Sequence, residues 1–187
     1  MHLNEKFGDG TPLRSYDEYV AITKQYDEWW QPHSEKILKG LCDITGLEFA
    51  QNTIDVYVAP WFYAFSSPMV IGVIFRDKDE LISVVSHEIV HRLLTDNTKF
   101  GLYHNYLKDW RKLFGKDHSN VTLAHIPVHA ILEKLYRDIL NQPDIIEIDK
   151  KQSKQKAAYQ KSWQYVQDHG YDWIIEQLVA IENSLKN

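Results

Sequence analysis

Two histidines stand four residues apart, with a glutamate beside the first: His87-Glu88-Ile89-Val90-His91. On a helix, residues i and i+4 share one face. Both imidazoles can therefore reach one tetrahedral Zn2+ at about 2.0–2.1 Å. Glu88 would sit beside a water activated by that ion and could take its proton. A chain with nine histidines produces this pattern by chance about 0.025 times, so the surroundings have to decide. At 100° per residue, His91, Val84, Ser83 and Glu80 all fall within about 60° of His87. Ile82, Val85, Ile89 and Leu93 fall on the opposite side, between about 160° and 240°. One face carries ligand-type residues and the other can pack on a sheet. The competing reading is a histidine pair bonded to Glu88 or Glu80 on a partly exposed face.

The segment Val84-Val85-Ser86-His87-Glu88-Ile89-Val90-His91-Arg92-Leu93 resembles the active-site helix of zincin metallopeptidases. Those proteins commonly place a helix and a small sheet before this helix, and the same order is expected here. Arg92 departs from the usual uncharged residue after the second histidine. The resemblance covers roughly residues 50–140 and implies a zinc-dependent peptidase, with Glu88 as general base and a third protein ligand still to be found. The metzincin extension needs a glycine three residues after His91 and a histidine six after; this chain has Leu94 and Asn97. Cys42 lacks the motif that surrounds a deformylase ligand. The remaining common solution is a glutamate on a later helix, as in gluzincins, and Glu133 is the best candidate. On a helical wheel His129, Glu133, Tyr136 and Leu140 share one stripe. The expected metal ligands are therefore His87, His91 and Glu133. His129 is the rival ligand, or alternatively a partner behind the ligands or an oxyanion donor. Tyr136 and His125 are candidates for transition-state stabilisation. Two further readings stay open. One is a non-catalytic interaction module, in which His129 closes a structural zinc site as fourth ligand. The other is a regulatory or toxin-type protein that cleaves a single partner.

The elements that must position these residues follow from periodicity. Tyr16, Tyr19, Val20, Tyr26, Trp29 and Trp30 recur at helical spacing, and Ile37, Leu38, Leu41 and Ile44 resume it after Pro32. This gives two helices or one kinked helix, ending near Gly46. Residues 53–58, 61–65 and 69–75 read as short strands of a mostly antiparallel sheet. The strand Met69–Phe75 offers an edge for an extended peptide, and the aromatic stretch Trp61–Phe65 either lines the cleft or fills the core. Asp77 caps the helix that carries His87 and His91, which runs to about Leu94. Tyr103–Phe114 is expected to be helical, and 115–120 a loop. Pro127 suits the first turn of the Glu133 helix, which runs to Asn141 and ends before Pro143. Two further helices fit 150–169 and 171–185, split at Gly170. Residues 1–14 look like an irregular arm. His104 and His118 fall in a variable connection. The fold class expected is α+β: one zincin-like domain over 1–187, in which 15–94 carries the sheet and active-site helix and 95–187 is mainly helical.

Length and composition agree with that. The chain has 187 residues, 44% of them hydrophobic and 25% charged. Such a chain buries roughly two thirds of its unfolded surface and sustains its own core. A net charge of −5 excludes a broad basic footprint for nucleic acid. The lysine run from Lys150 to Lys156 reads as a solvated helix face. Cys42, the single cysteine, has no disulfide or metal partner and reads as a small core residue. No apolar leader or window of membrane-spanning length occurs. The expected setting is cytoplasmic, and the expected partner is a peptide or protein rather than nucleic acid or membrane.

Overall fold

The computed structural model describes residues 14–60, 64–97 and 102–186. The expected N-terminal arm, and Trp61 to Tyr63 of the aromatic stretch, lie outside these, as does the side chain of His104. Helix α1 (Tyr16–Thr45) starts at Ser15. The Ser15 hydroxyl accepts from the Glu18 N–H at 3.3 Å, and the Glu18 carboxylate accepts from the Ser15 N–H at 2.7 Å. This reciprocal pair satisfies two helix-end donors. Pro32 lies inside α1 without splitting it. The buried stripe Tyr26, Ile37, Leu41 and Ile44 runs past the proline on both sides, so packing offsets the lost hydrogen bond. Gly46 closes the helix at φ 67°, a left-handed conformation that favours glycine.

Three short strands follow: β1 (Val56–Ala59), β2 (Phe65–Ser66) and β3 (Met69–Gly72). Their order is β1-β3-β2. β1 pairs with β3 in parallel, from Val56↔Met69 to Ala59↔Gly72, while β2 pairs with β3 antiparallel. The mostly antiparallel sheet expected from sequence is therefore mixed, with the longer ladder parallel. β3, the last of the three in sequence, lies between the other two. That also corrects the expected peptide-binding edge, because β3 is central and is paired on both sides at Met69 and Val70. The Tyr26 hydroxyl accepts from the Phe75 N–H at 2.9 Å and lies 3.2 Å from the Gly72 carbonyl. It thereby ties α1 to the exit of β3.

Helix α2 (Lys78–Asp96) begins where Asp77 accepts from the Asp79 and Glu80 N–H groups at 2.8 and 3.3 Å. Its face of Leu81, Ile82, Val85, Ile89 and Leu93 is buried. After α3 (Leu102–Phe114), helix α4 (Asn120–Lys134) starts at Ser119, whose hydroxyl accepts from the Thr122 N–H at 3.1 Å. The sequence places the start at Pro127, which instead lies in the interior of α4. Every residue from Thr122 to Glu133 is buried, so α4 is the central helix, packed against α1, α2, α3 and the helices Ala157–His169 and Tyr171–Lys186. Burial on all sides holds a helix together even where a proline removes one of its bonds. A π-type turn (Leu135–Ile139) ends it, and Asn141 at φ 55° turns the chain.

Pro143 then precedes helix α5 (Asp144–Ser153), followed by α6 (Ala157–His169) and α7 (Tyr171–Lys186). The single helix expected over 150–169 is thus broken at 154–156, whereas the split at Gly170 is present. One hydrophobic cluster joins side chains from α1 through α7, giving a small α+β domain. Cys42 is a free, half-buried thiol within α1. Among the described residues no helix is long and apolar enough to cross a membrane.

Candidate metal centre

Helices α2 and α4 each present two histidines one turn apart, and the two pairs face one another. His91 Nε2 lies 3.1 Å from His125 Nε2. The ring centroids of His87 and His91 are 5.0 Å apart, those of His87 and His125 5.4 Å, and those of His91 and His125 4.7 Å. Each of these three residues offers a ligand atom within 4.8 Å of the other two. A second group, His87, His129 and Asp149, meets the same condition. The buried cluster His87, His91, His125, His129 and Asp149 can therefore hold a metal ion.

Hydrogen bonds select the nitrogens that would do so. The Nδ1 of His125 donates to the Val121 carbonyl at 2.7 Å. A carbonyl only accepts, so the neutral ring carries its proton on Nδ1 and its lone pair on Nε2. His87 Nδ1 lies 3.0 Å from Asp149 Oδ2, and the same reasoning leaves Nε2 of the neutral His87 ring free. A carboxylate or carbonyl behind each ligating imidazole is the usual arrangement around a bound metal. In a tetrahedral site with nitrogens at 2.0–2.1 Å, two ligand nitrogens stand about 3.3 Å apart. The 3.1 Å between His91 and His125 fits that spacing. Two lone pairs so close require a proton or a cation between them.

Charge agrees with the geometry. Burial, together with the neighbouring histidines, holds His91 well below the ordinary histidine range. Burial and the His87 charge push His125 down to about 3. Both rings are neutral at pH 7, as ligation requires. Burial disfavours a charged His87, but the hydrogen bond and charge of Asp149 outweigh it and raise its pKa. Asp149 is buried yet held below the usual carboxylate range by His87. It also receives Trp163 Nε1–H at 3.0 Å and the Ser153 hydroxyl at 3.3 Å. Asp149→Asn is expected to lower metal affinity by about ten- to a hundredfold, read by competition with a chromogenic chelator. A much larger loss would put the ion on Asp149 itself, and no loss would remove Asp149 from the centre.

A cleft of about 360 Å3 opens on one side of the cluster, lined by His87, Glu88, Asp149, Lys156 and Tyr159 together with Ala64, Ile74, Phe75 and Val84. Burial raises the Glu88 pKa, against the charges of His87 and Lys156. The Tyr159 ring lies 4.0 Å from that of His125 and 6.1 Å from that of His87. A separate apolar cavity of about 290 Å3 lies behind α2, against Tyr26, Met69, Leu81, Val85 and Ile89. It does not touch the histidines.

The expected residues are distributed as follows. His87, Glu88 and His91 stand together, and His125 joins them as a ligand-type group. Glu133 is in neither ligand group; its Oε1 accepts from Arg137 Nε at 2.9 Å. It lies eight residues beyond His125, about 12 Å further along the helix axis at 1.5 Å per residue, whereas the histidines converge at the level of His125. Tyr136 is fully buried, with its hydroxyl 3.4 Å from the Ile82 carbonyl, and does not line the cleft. His129 is fully buried and stacked on Trp163, centroids 4.4 Å apart. Its Nδ1 is 2.9 Å from the Ser162 hydroxyl. Its Nε2 has no hydrogen-bond partner and lies 3.7 Å from Asp149 Oδ1. His118 bonds the Tyr165 hydroxyl, away from the cluster. Three groups of the centre were not singled out in the sequence: Asp149, Tyr159 and Trp163. One signal was available, since His125 and His129 repeat the four-residue spacing of His87 and His91. No family model, curated protein or solved structure matches this chain.

Proposed function

We propose that this chain is a zinc-dependent metallopeptidase of zincin-like type, with His125 in the place a gluzincin gives to glutamate. The observation that carries the reading is the meeting of the His87–His91 pair with His125, beside a cleft into which Glu88 opens. Three imidazole nitrogens and one open position suit catalytic zinc. When bound, zinc supplies Lewis acidity toward a peptide carbonyl and toward water. Glu88 takes a proton from the attacking water and passes it to the leaving amine. Its partly buried carboxylate has a raised pKa, which makes it a better base than an exposed glutamate. Asp149 fixes the tautomer and orientation of His87, and the Val121 carbonyl does the same for His125. Tyr159 lines the cleft, and its hydroxyl is suited to donate to a developing oxyanion.

A second reading is favoured by the orphaned Nε2 of His129. His87, His129 and Asp149 would hold a structural zinc, a fourth protein ligand being needed to close the site, and the chain would then be an interaction module. Chelation separates the two. For a peptidase, hydrolysis of a mixed peptide library should fall to background after zinc is stripped and return with one equivalent. A structural site would instead show a lower melting temperature on stripping and no zinc-dependent hydrolysis at any stage.

A further inference from the structure

The lysine run that reads as a solvated face has one member in the cleft. Helix α5 ends at Ser153 and α6 begins at Ala157, so the turn between them stands at the cleft mouth. Lys150 is occupied: its Nζ lies 5.0 Å over the Trp163 ring and 3.4 Å from Glu147. Lys156 Nζ lies 4.5 Å above the Tyr159 ring. Among the described residues no carboxylate is in salt-bridge contact with it. Lys156 is also the N-cap of α6, which has no side-chain cap and no acidic residue in its first turn. The positive end of that helix therefore adds to the lysine charge rather than being neutralised. The same cleft is lined by the apolar Ala64, Ile74, Phe75 and Val84. The cleft, about 360 Å3, is near the small end of ligand pockets.

We infer that Lys156, resting on Tyr159, anchors a carboxylate of the substrate, so that the site takes short peptides carrying an apolar residue beside a carboxylate. The inference rests on the hydrolase reading of the same cleft. An apolar side chain lies against Ile74, Phe75 and Val84, and the anionic group lies at Lys156 in the same cleft. The carboxylate comes either from a peptide C-terminus or from an acidic side chain. In both cases Lys156 touches the substrate without taking part in proton transfer.

The test is calorimetry on the zinc-loaded full chain carrying Glu88→Gln, which removes turnover. Three probes are compared: acetyl-Phe-Ala with a free carboxylate, the same peptide amidated, and acetyl-Phe-Asp amide. The free acid should bind about fivefold more tightly than the amide, the upper range for a largely solvated ion pair. Lys156→Met should abolish that advantage and Lys154→Met should keep it. Equally tight binding of the aspartate amide would assign the anchor to acidic side chains, and weak binding of it to C-termini. Equal affinity for acid and amide, no binding of any probe, or an advantage that survives Lys156→Met would overturn the inference. Binding of this kind without hydrolysis by the unmodified chain would overturn the peptidase reading alone.

Discussion

His125→Ala is expected to yield a purified protein without its metal, and Glu133→Ala a protein that keeps it. Both substitutions lie on α4, eight residues apart, and both remove a buried polar group. Only one removes a nitrogen 3.1 Å from His91 Nε2. Changing a group behind the ligands costs about ten- to a hundredfold in affinity, so deleting one of three ligands should cost more than that. Glu133 offers its carboxylate to Arg137, whose side chain is 43% exposed. Without Glu133 the guanidinium turns to solvent at small cost. Elemental analysis after purification without added metal reads the result directly, and circular dichroism of both variants guards against misfolding. Zinc lost from Glu133→Ala and retained by His125→Ala would restore the gluzincin ligand set that the spacing suggests.

The contrast shows what the sequence could and could not carry. Helix α2 was legible because its signals are local: Asp77 at the cap, an apolar stripe behind, and His87 and His91 one turn apart. Gly46 and Gly170 were legible as breaks for the same reason. Helix α4 was not. Pro127 marks a helix start in an exposed element, but here Ser119 caps the helix two turns earlier and burial on all sides tolerates the proline. Starting the helix at Pro127 left His125 outside it and made Glu133 the natural ligand of a short helix. A helical wheel gives the angle around an axis but not the depth along it. It put Glu133 on the right stripe and could not show that the facing helix meets α4 at His125. Asp149 was hidden by its neighbours. It directly precedes the lysine run that reads as a solvated face, yet it is buried on α5 with Ile145, Ile146 and Ser153. The sheet departs from the expected antiparallel order because hairpins between successive short strands are the usual outcome, whereas β3 inserts between β1 and β2.

Glu88→Gln should leave metal content unchanged and reduce hydrolysis by about a thousandfold, within the range for a general acid–base group. Glutamine keeps the size of the side chain and can still hold a water, but it cannot accept a proton at neutral pH. The substitution therefore tests the proton transfer and not the cleft. Glu88 is not in either ligand group, so the histidines keep their geometry. The loss should appear in kcat, with KM little changed, because the interaction removed is made in the transition state. A thousandfold loss corresponds to about 4 kcal/mol of barrier. That is more than a merely repacked, half-buried glutamate would be expected to impose. Turnover undiminished in Glu88→Gln would remove the general base from the proposed mechanism. The histidine cluster would then be a metal site without peptidase chemistry, and a structural site on His87, His129 and Asp149 would become its better description.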